Sequence, residues 1–327
     1  MKKKIFITLF LIITLFTINT SSSNYNNTIA PLVKEIKDSV VAIKNINDTK
    51  INDSFSGSGF IIDKDGLVVT NYHVIKNAKK IEIILNSNIY DAILIGYDDK
   101  LDIALLKIKS DTEFNFVEFA DSSNIEIGDF IVAIGNPYGL GGTVTTGIIS
   151  AINRNINMTP YDDFIQIDAA INKGNSGGPT FNMEGKVIGV NTAIISPTGG
   201  NVGLAFSIPS NKVKKIVNDI KVFGFVKRSW IGVNLQPLTN EMLEALNIDL
   251  KGSVIVTKIS PKSPALKYQL KIGDIIYAIN DRNINGIKDL IKKIQKTEVN
   301  DFIKLKVLRN NKKIEINLQT AQWPKIA

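Results

Sequence analysis

The sequence predicts a mainly β protein in two parts, an antiparallel sandwich or barrel followed by a smaller α+β module. Three observations carry this. The chain has 327 residues, enough for two separate cores. Between about residues 40 and 210 it is a succession of short Ile- and Val-rich runs separated by Gly, Asn, Asp or Pro, with no long helices between them. From about residue 228 the pattern changes, and helical periodicities alternate with strands.

Composition narrows the function classes. Hydrophobic residues make up 44% and charged residues 21%, which is ordinary for a globular protein. There is no cysteine, so disulfide, zinc-thiolate and thiol-nucleophile chemistries are excluded. The net charge of +8 comes from lysines scattered along the chain. No basic block carries interleaved aromatics, which argues against nucleic acid as a partner.

The elements follow in order. MKKK is a positive start, and residues 5–18 form an apolar run. That run is shorter than the about 20 residues a membrane span needs, so residues 1–22 are expected to be a signal peptide, or an anchor in the inner membrane if they are retained. Either way the body is exported to the cell envelope or periplasm. Residues 29–38 predict a short helix leading into the strand VVAIKNI. The strands SGSGFIID, GLVVTN, KIEIIL, AILIGYD, DIALLKI, FIVAIG, GTVTTGIISAI, FIQIDA, KVIGVNTAII and GLAFSIP follow, and a helix over 210–221 closes the section. The first domain is expected over 23–222 and the second over 228–320. In the second, WIGVNL and GSVIVTKIS are strands, TNEMLEALNI is helical, and GDIIYAIN precedes a helix over 286–296. Asn310-Asn311 suits the turn of a final hairpin.

Chemistry concentrates in three places. His73 is the single histidine and lies at the end of the strand GLVVTN. Asp102 opens the apolar run DIALLKI, where a carboxylate at the mouth of a buried strand needs a partner. Asp98 and Asp99 are rivals in what reads as a more exposed stretch. Ser176 sits in INKGNSGGP among three glycines. A serine hydroxyl is a weak nucleophile until an imidazole takes its proton, and a carboxylate fixes the imidazole's tautomer. The order His, Asp, Ser on a β-rich body is that of chymotrypsin-type enzymes. The glycines then have a purpose. The N–H groups of Gly174 and Ser176, with Asn175 between them, can form an oxyanion hole, and Gly177 and Gly178 allow a tight turn behind the nucleophile.

TNYHV, DIALLKI and INKGNSGGP, together with AIGNPYGLGGTVTTGIIS and GLAFSIP, closely resemble the HtrA (Deg-type) serine proteases. The resemblance implies a chymotrypsin-like double β-barrel with a His73, Asp102, Ser176 triad and no cofactor or metal. It also implies that 228–320 is a PDZ domain. WIGV would then be its carboxylate-binding loop, Trp230, Ile231, Gly232 and Val233, facing a helix that carries Leu290, Ile291 and Ile294. By the same resemblance Ile171, Thr192, Ala193 and Ile194 line the primary specificity pocket. No acid marks its base, so small or branched aliphatic residues are the expected preference. Thr180 departs from the family pattern, which is usually apolar there. The implied partners are unfolded or misfolded proteins, hydrophobic C-terminal peptides at the PDZ domain, and two further copies in a homotrimer. The implied role is ATP-independent quality control in the envelope stress response. The alternatives are a membrane-anchored regulatory protease with one specific substrate, and a chaperone or peptide-binding scaffold.

Overall fold

The computed structural model describes residues 28–47, 55–137, 142–156, 158–159, 161–197, 200–245 and 247–324. The leader or anchor expected over 1–22 lies outside them. Among the described residues, no helix is long and apolar enough to cross a membrane.

Helix α1 (Ala30–Ile36) and a 3-10 turn lead into the first six strands: β1 (Val40–Ile46), β2 (Phe55–Ile61), β3 (Leu67–Thr70), β4 (Lys80–Leu85), β5 (Asn88–Asp98) and β6 (Ile103–Ile108). They close into a barrel in the order β1-β2-β3-β6-β5-β4. Closure is made by β1, which pairs with β2 on one side and β4 on the other. A second barrel uses β7 (Phe130–Gly135), β8 (Thr143–Arg154), β9 (Phe164–Ile167), β10 (Pro179–Phe181), β11 (Val187–Ile194) and β12 (Ala205–Pro209). Its order is β10-β11-β12-β9-β8-β7.

Strand period explains why these runs are apolar throughout. Successive side chains point to opposite faces. Val41, Ile43, Ile61, Val68, Ala104 and Leu106 fill the first barrel. Their neighbours Val40, Phe60, Val69, Ile103 and Leu105 face outward into a shared core with Val132, Ile134, Phe181 and Val190 of the second barrel. Ile131 and Ala133 fill the second barrel itself. Both faces of β1, β3, β6 and β7 are therefore largely buried, at about 1.5–3 kcal/mol per large side chain, whereas β5 and β8 leave most of their residues at least partly exposed. The seam between the barrels is the largest of the cores, and the chemically notable residues lie along it.

Helix α3 (Ser210–Phe223) covers that seam with Val213, Ile216, Val217 and Ile220, the i, i+3, i+4, i+7 face of an amphipathic helix. It ends at Gly224 in the left-handed conformation, φ +72°. The remaining strands are β13 (Ser229–Trp230), β14 (Val233–Pro237), β15 (Val254–Ile259), β16 (Ile275–Ile279), β17 (Arg282–Asn283), β18 (Phe302–Arg309), β19 (Lys312–Gln319) and β20 (Ala321–Gln322). A sheet runs β14-β15-β16-β18-β19, and β13 pairs separately with β20. Helices α4 (Asn240–Ala245), α5 (Pro264–Lys267) and α6 (Gly286–Gln295) complete the module. Asn310 and Asn311 both have positive φ, +48° and +60°, as a two-residue hairpin turn of the primed type requires.

Candidate active site

His73 stands on a short helix, α2 (Tyr72–Ile75), that follows β3. Asp102 lies between β5 and β6 at φ +56°, the left-handed region that a non-glycine residue enters at a cost of about 1–2 kcal/mol. The surroundings hold it there. Its carbonyl accepts the Tyr72 N–H at 3.1 Å and the Asn71 amide at 2.8 Å. Its carboxylate takes three donors: the His73 backbone N–H at 2.8 Å on Oδ1, the His73 ring Nδ1 at 2.6 Å and the Thr192 hydroxyl at 3.0 Å on Oδ2. Nδ1 is thus the protonated ring nitrogen, and the Nε2 lone pair is left to accept a proton.

Ser176 is brought to the same place by its backbone. Its carbonyl accepts the Ser58 N–H of β2 at 2.8 Å. Gly57, the preceding residue, is where the segments carrying His73 and Ser176 converge. A Cβ there would stand 2.9 Å from the Ser176 carbonyl and 2.6 Å from a methyl of Val74, the residue after His73. Gly177 has φ +84°, and a Cβ on it would collide with the Ser58 carbonyl and the Thr70 hydroxyl. Its N–H donates to the Asn191 carbonyl at 2.8 Å. These contacts answer why glycines crowd the serine: the turn passes through the seam with no room for side chains.

Gly174 lies at φ +101° and packs on Pro137. Its N–H and that of Ser176 have no backbone acceptor among the described residues. Asn175 departs from the oxyanion expectation. Its N–H donates to the Asn172 carbonyl at 3.0 Å, and the residue is buried, with its side chain against Gly135. The unspent donors of the turn are therefore Gly174 and Ser176.

The four residues expected to line a specificity pocket divide. Ile171 is buried in the core of the second barrel, and Ile194 packs at the edge of that core. Ala193 faces the inter-barrel seam. Thr192 sits at a bulge in the pairing of β11 with β12, which frees its hydroxyl to reach Asp102, so it braces the carboxylate. Sequence reasoning missed that role, because an alternating strand pattern carries no sign of a bulge. Thr180 is also explained. It is fully buried beneath the turn, and its hydroxyl donates to Asn191 Oδ1 at 2.6 Å beside Ser207 at 2.9 Å. Ser207 shares the same acceptor at 3.0 Å, so the departure from an apolar residue is matched by polar partners.

Of the rivals to Asp102, Asp99 pairs with Lys100 at 2.9 Å. Asp98 is buried, contrary to the expectation of exposure, and Arg228 holds it through two hydrogen bonds of 3.0 and 2.6 Å.

A second site lies on the smaller module. A groove of about 380 Å³ runs between the open edge of β14 and α6, lined by Trp230, Ile231, Val233, Ile287, Ile291 and Ile294 among others. Gly232, at φ +84°, has no space for a Cβ beside Ser263. The Ile231 and Gly232 carbonyls accept the Ala265 and Ser260 N–H groups at 2.8 and 2.9 Å. Leu290 differs from expectation: it is fully buried in the core, and Ile287 takes its place on the wall. Tyr161, from the second barrel, lines the same groove, and burial pushes its hydroxyl pKa up.

Residues 57–190 match the trypsin-like peptidase domain family, and residues 229–320 match the PDZ domain family. A probable periplasmic serine endoprotease DegP-like of Bartonella henselae is 46% identical over 270 residues, 82% of this chain and 53% of that protein. One of Rickettsia prowazekii is 50% identical over 268 residues, 80% of this chain and 52% of that one. The chain thus spans about half the length of the curated relatives it matches. Among solved structures, the HtrA-type protease AlgW with decapeptide superposes with a TM-score of 0.83 at 31% identity, covering 91% of this chain and 100% of that one. The serine endoprotease from Yersinia pestis superposes at 0.73 with 31% identity, covering 91% and 98%.

Proposed function

The chain belongs to the HtrA-type serine proteases, and from that premise we propose that it is an ATP-independent endopeptidase of the bacterial periplasm that degrades misfolded or damaged exported proteins. One observation carries the reading: Asp102 receives the His73 ring and backbone and the Thr192 hydroxyl, while Ser176 is held in the adjoining seam with free N–H donors. In the proposed reaction, Ser176 Oγ attacks the scissile carbonyl carbon and its proton passes to His73 Nε2. The carbonyl oxygen becomes an anion facing the Gly174 and Ser176 N–H groups. Collapse breaks the C–N bond, and the departing amine takes the proton from His73. Water then attacks the acyl ester with His73 as base, releasing the acid and restoring Ser176.

The preference for Val, Ala or Ile before the cut bond belongs to this reading and is supported by Ile194, an apolar side chain at the edge of the second-barrel core. In the PDZ groove, aliphatic walls and the loop Trp230–Val233 suit the apolar C-terminus of a peptide adding a strand to β14. A homotrimer, and retention or removal of residues 1–22, belong to the same reading.

A second reading, a regulatory protease gated by such a peptide, is favoured by Tyr161. That residue belongs to the loop over 153–163 and lines the peptide groove. On the other side, Asn201 of the loop over 194–202 bonds the Ile171 carbonyl at 3.3 Å and donates its N–H to Asn172 at 3.0 Å. One loop thus touches the groove and the other touches the segment before the serine turn, as a switch between the two would need.

Digestion of an unfolded model protein by the chain lacking residues 1–22, beside Ser176→Ala, tests this. The variant is expected to lose about a million-fold in turnover. Cleavage appearing only with an added hydrophobic C-terminal peptide selects the gated reading. No cleavage in either condition removes both, and leaves a scaffold.

A further inference from the structure

We propose that Ser58 is a positioning residue for this reaction, its hydroxyl tying the oxyanion turn to both barrels at once. The inference rests on the reading of Gly174 and Ser176 as oxyanion donors. Ser58 lies on β2 between two glycines and is fully buried. A buried hydroxyl must be satisfied, and what satisfies this one is informative. It donates to the Gly174 carbonyl at 2.6 Å and accepts the Asn136 N–H, just past β7, at 2.8 Å. Its own N–H holds the Ser176 carbonyl at 2.8 Å, and its carbonyl takes the Thr70 hydroxyl at 2.7 Å. One side chain from the first barrel thus grips the nucleophile turn and the adjoining strand end of the second.

The consequence falls on one peptide plane. The Gly174–Asn175 peptide donates its N–H to Asn172 and its carbonyl accepts from Ser58. It is held at both ends, and the two proposed oxyanion donors are the N–H groups immediately before and after it. Glycine at 174 permits many backbone conformations, so the turn needs a restraint from outside. Without the Ser58 hydroxyl, the plane is held at one end only and the flanking donors no longer converge on one point. Donors act in an oxyanion hole only when they are fixed before the charge develops.

The test compares the parent chain with Ser58→Ala. A short amide substrate with valine before the cut bond reads kcat and KM. A peptide boronic acid of that sequence, which forms a tetrahedral adduct on serine, reads affinity for the transition state. The free-acid product peptide reads ground-state binding. The expected result is a kcat lower by about a hundredfold with little change in KM. Boronate affinity should fall by the same factor as kcat/KM, and product affinity should stay unchanged. Ser39→Ala is the control. It removes an equally buried hydroxyl that donates to the Ile36 carbonyl at 2.6 Å, away from the turn, and should leave kcat unchanged. If Ser58→Ala does not fold, Ser58→Cys, with a weaker donor at the same point, should show a smaller loss in the same pattern. An unchanged kcat, or a loss carried by KM and product binding, overturns the proposal. A parent chain that binds the boronate no better than Ser176→Ala does would remove the protease reading, and the proposal with it.

Discussion

Asp102 is the residue on which most of the candidate site converges, and its backbone conformation shows what that costs. It occupies the left-handed region without being glycine, stabilised by two donors on its carbonyl and three on its carboxylate. Asp102→Asn replaces one carboxylate oxygen with an amide donor and turns the His73 ring toward the wrong tautomer. A kcat lower by about four orders of magnitude, with the fold retained by circular dichroism, is expected. Thr192→Val removes only the hydroxyl donated to a charged group, about 1.5–2 kcal/mol. Steady-state kinetics should show roughly a tenfold or somewhat greater fall in kcat. His73, Asp102 and Ser176 stand out in the sequence as candidates because their residue types and order are tied to one chemistry. The contacts of Thr192 and Ser58 do not, because they depend on a bulge and on a partner 116 residues away along the chain.

Among the elements, strands such as β1, β6 and β7 were legible as apolar runs buried on both faces, and α3 because its apolar positions recur at helical spacing. Helix α2, which carries His73, is only four residues long, too short to leave a periodic trace. The attachment of α3 to the second barrel gives a pH-dependent prediction. Asp121 accepts from the Ser123 hydroxyl and N–H and from the Asn211 amide near the start of α3. These bonds, the Ser123 hydroxyl foremost, lower its carboxyl to about 2. In the unfolded chain it titrates at about 3.9. Its contribution is therefore complete above that pH and lost as the pH falls toward the folded value. Asp121→Asn should flatten the dependence of urea midpoint on pH between about 4 and 2 relative to the parent. An unchanged slope would show that Asp121 does not set it.

At the scale of the whole molecule, the two domains meet through Arg228 and Asp98. The side chains are 11% and 2% exposed, and the guanidinium also lies 4.8 Å over the Tyr161 ring. The two ends of the PDZ module close on the same point: β13 pairs with β20, and the Trp323 N–H donates to the Arg228 carbonyl at 2.9 Å. The sequence reads Asp98 as exposed, because a partner 130 residues away leaves no local sign. Removing one partner of a buried pair leaves the other charge stranded. Arg228→Ala should cost about 3–5 kcal/mol in denaturant unfolding. Asp98→Ala in the same background should cost much less than it does alone, the non-additivity a double-mutant cycle detects.

The His73–Asp102 contact has one more consequence. The chain contains a single histidine, so the molecule has one imidazole and it lies in the candidate site. Proton magnetic resonance should therefore show one far-downfield ring N–H signal, assigned without a single substitution and lost in Asp102→Asn. Any peptide that reaches the groove beside Tyr161 and acts on the His73–Asp102 pair would be visible as a displacement of that one line.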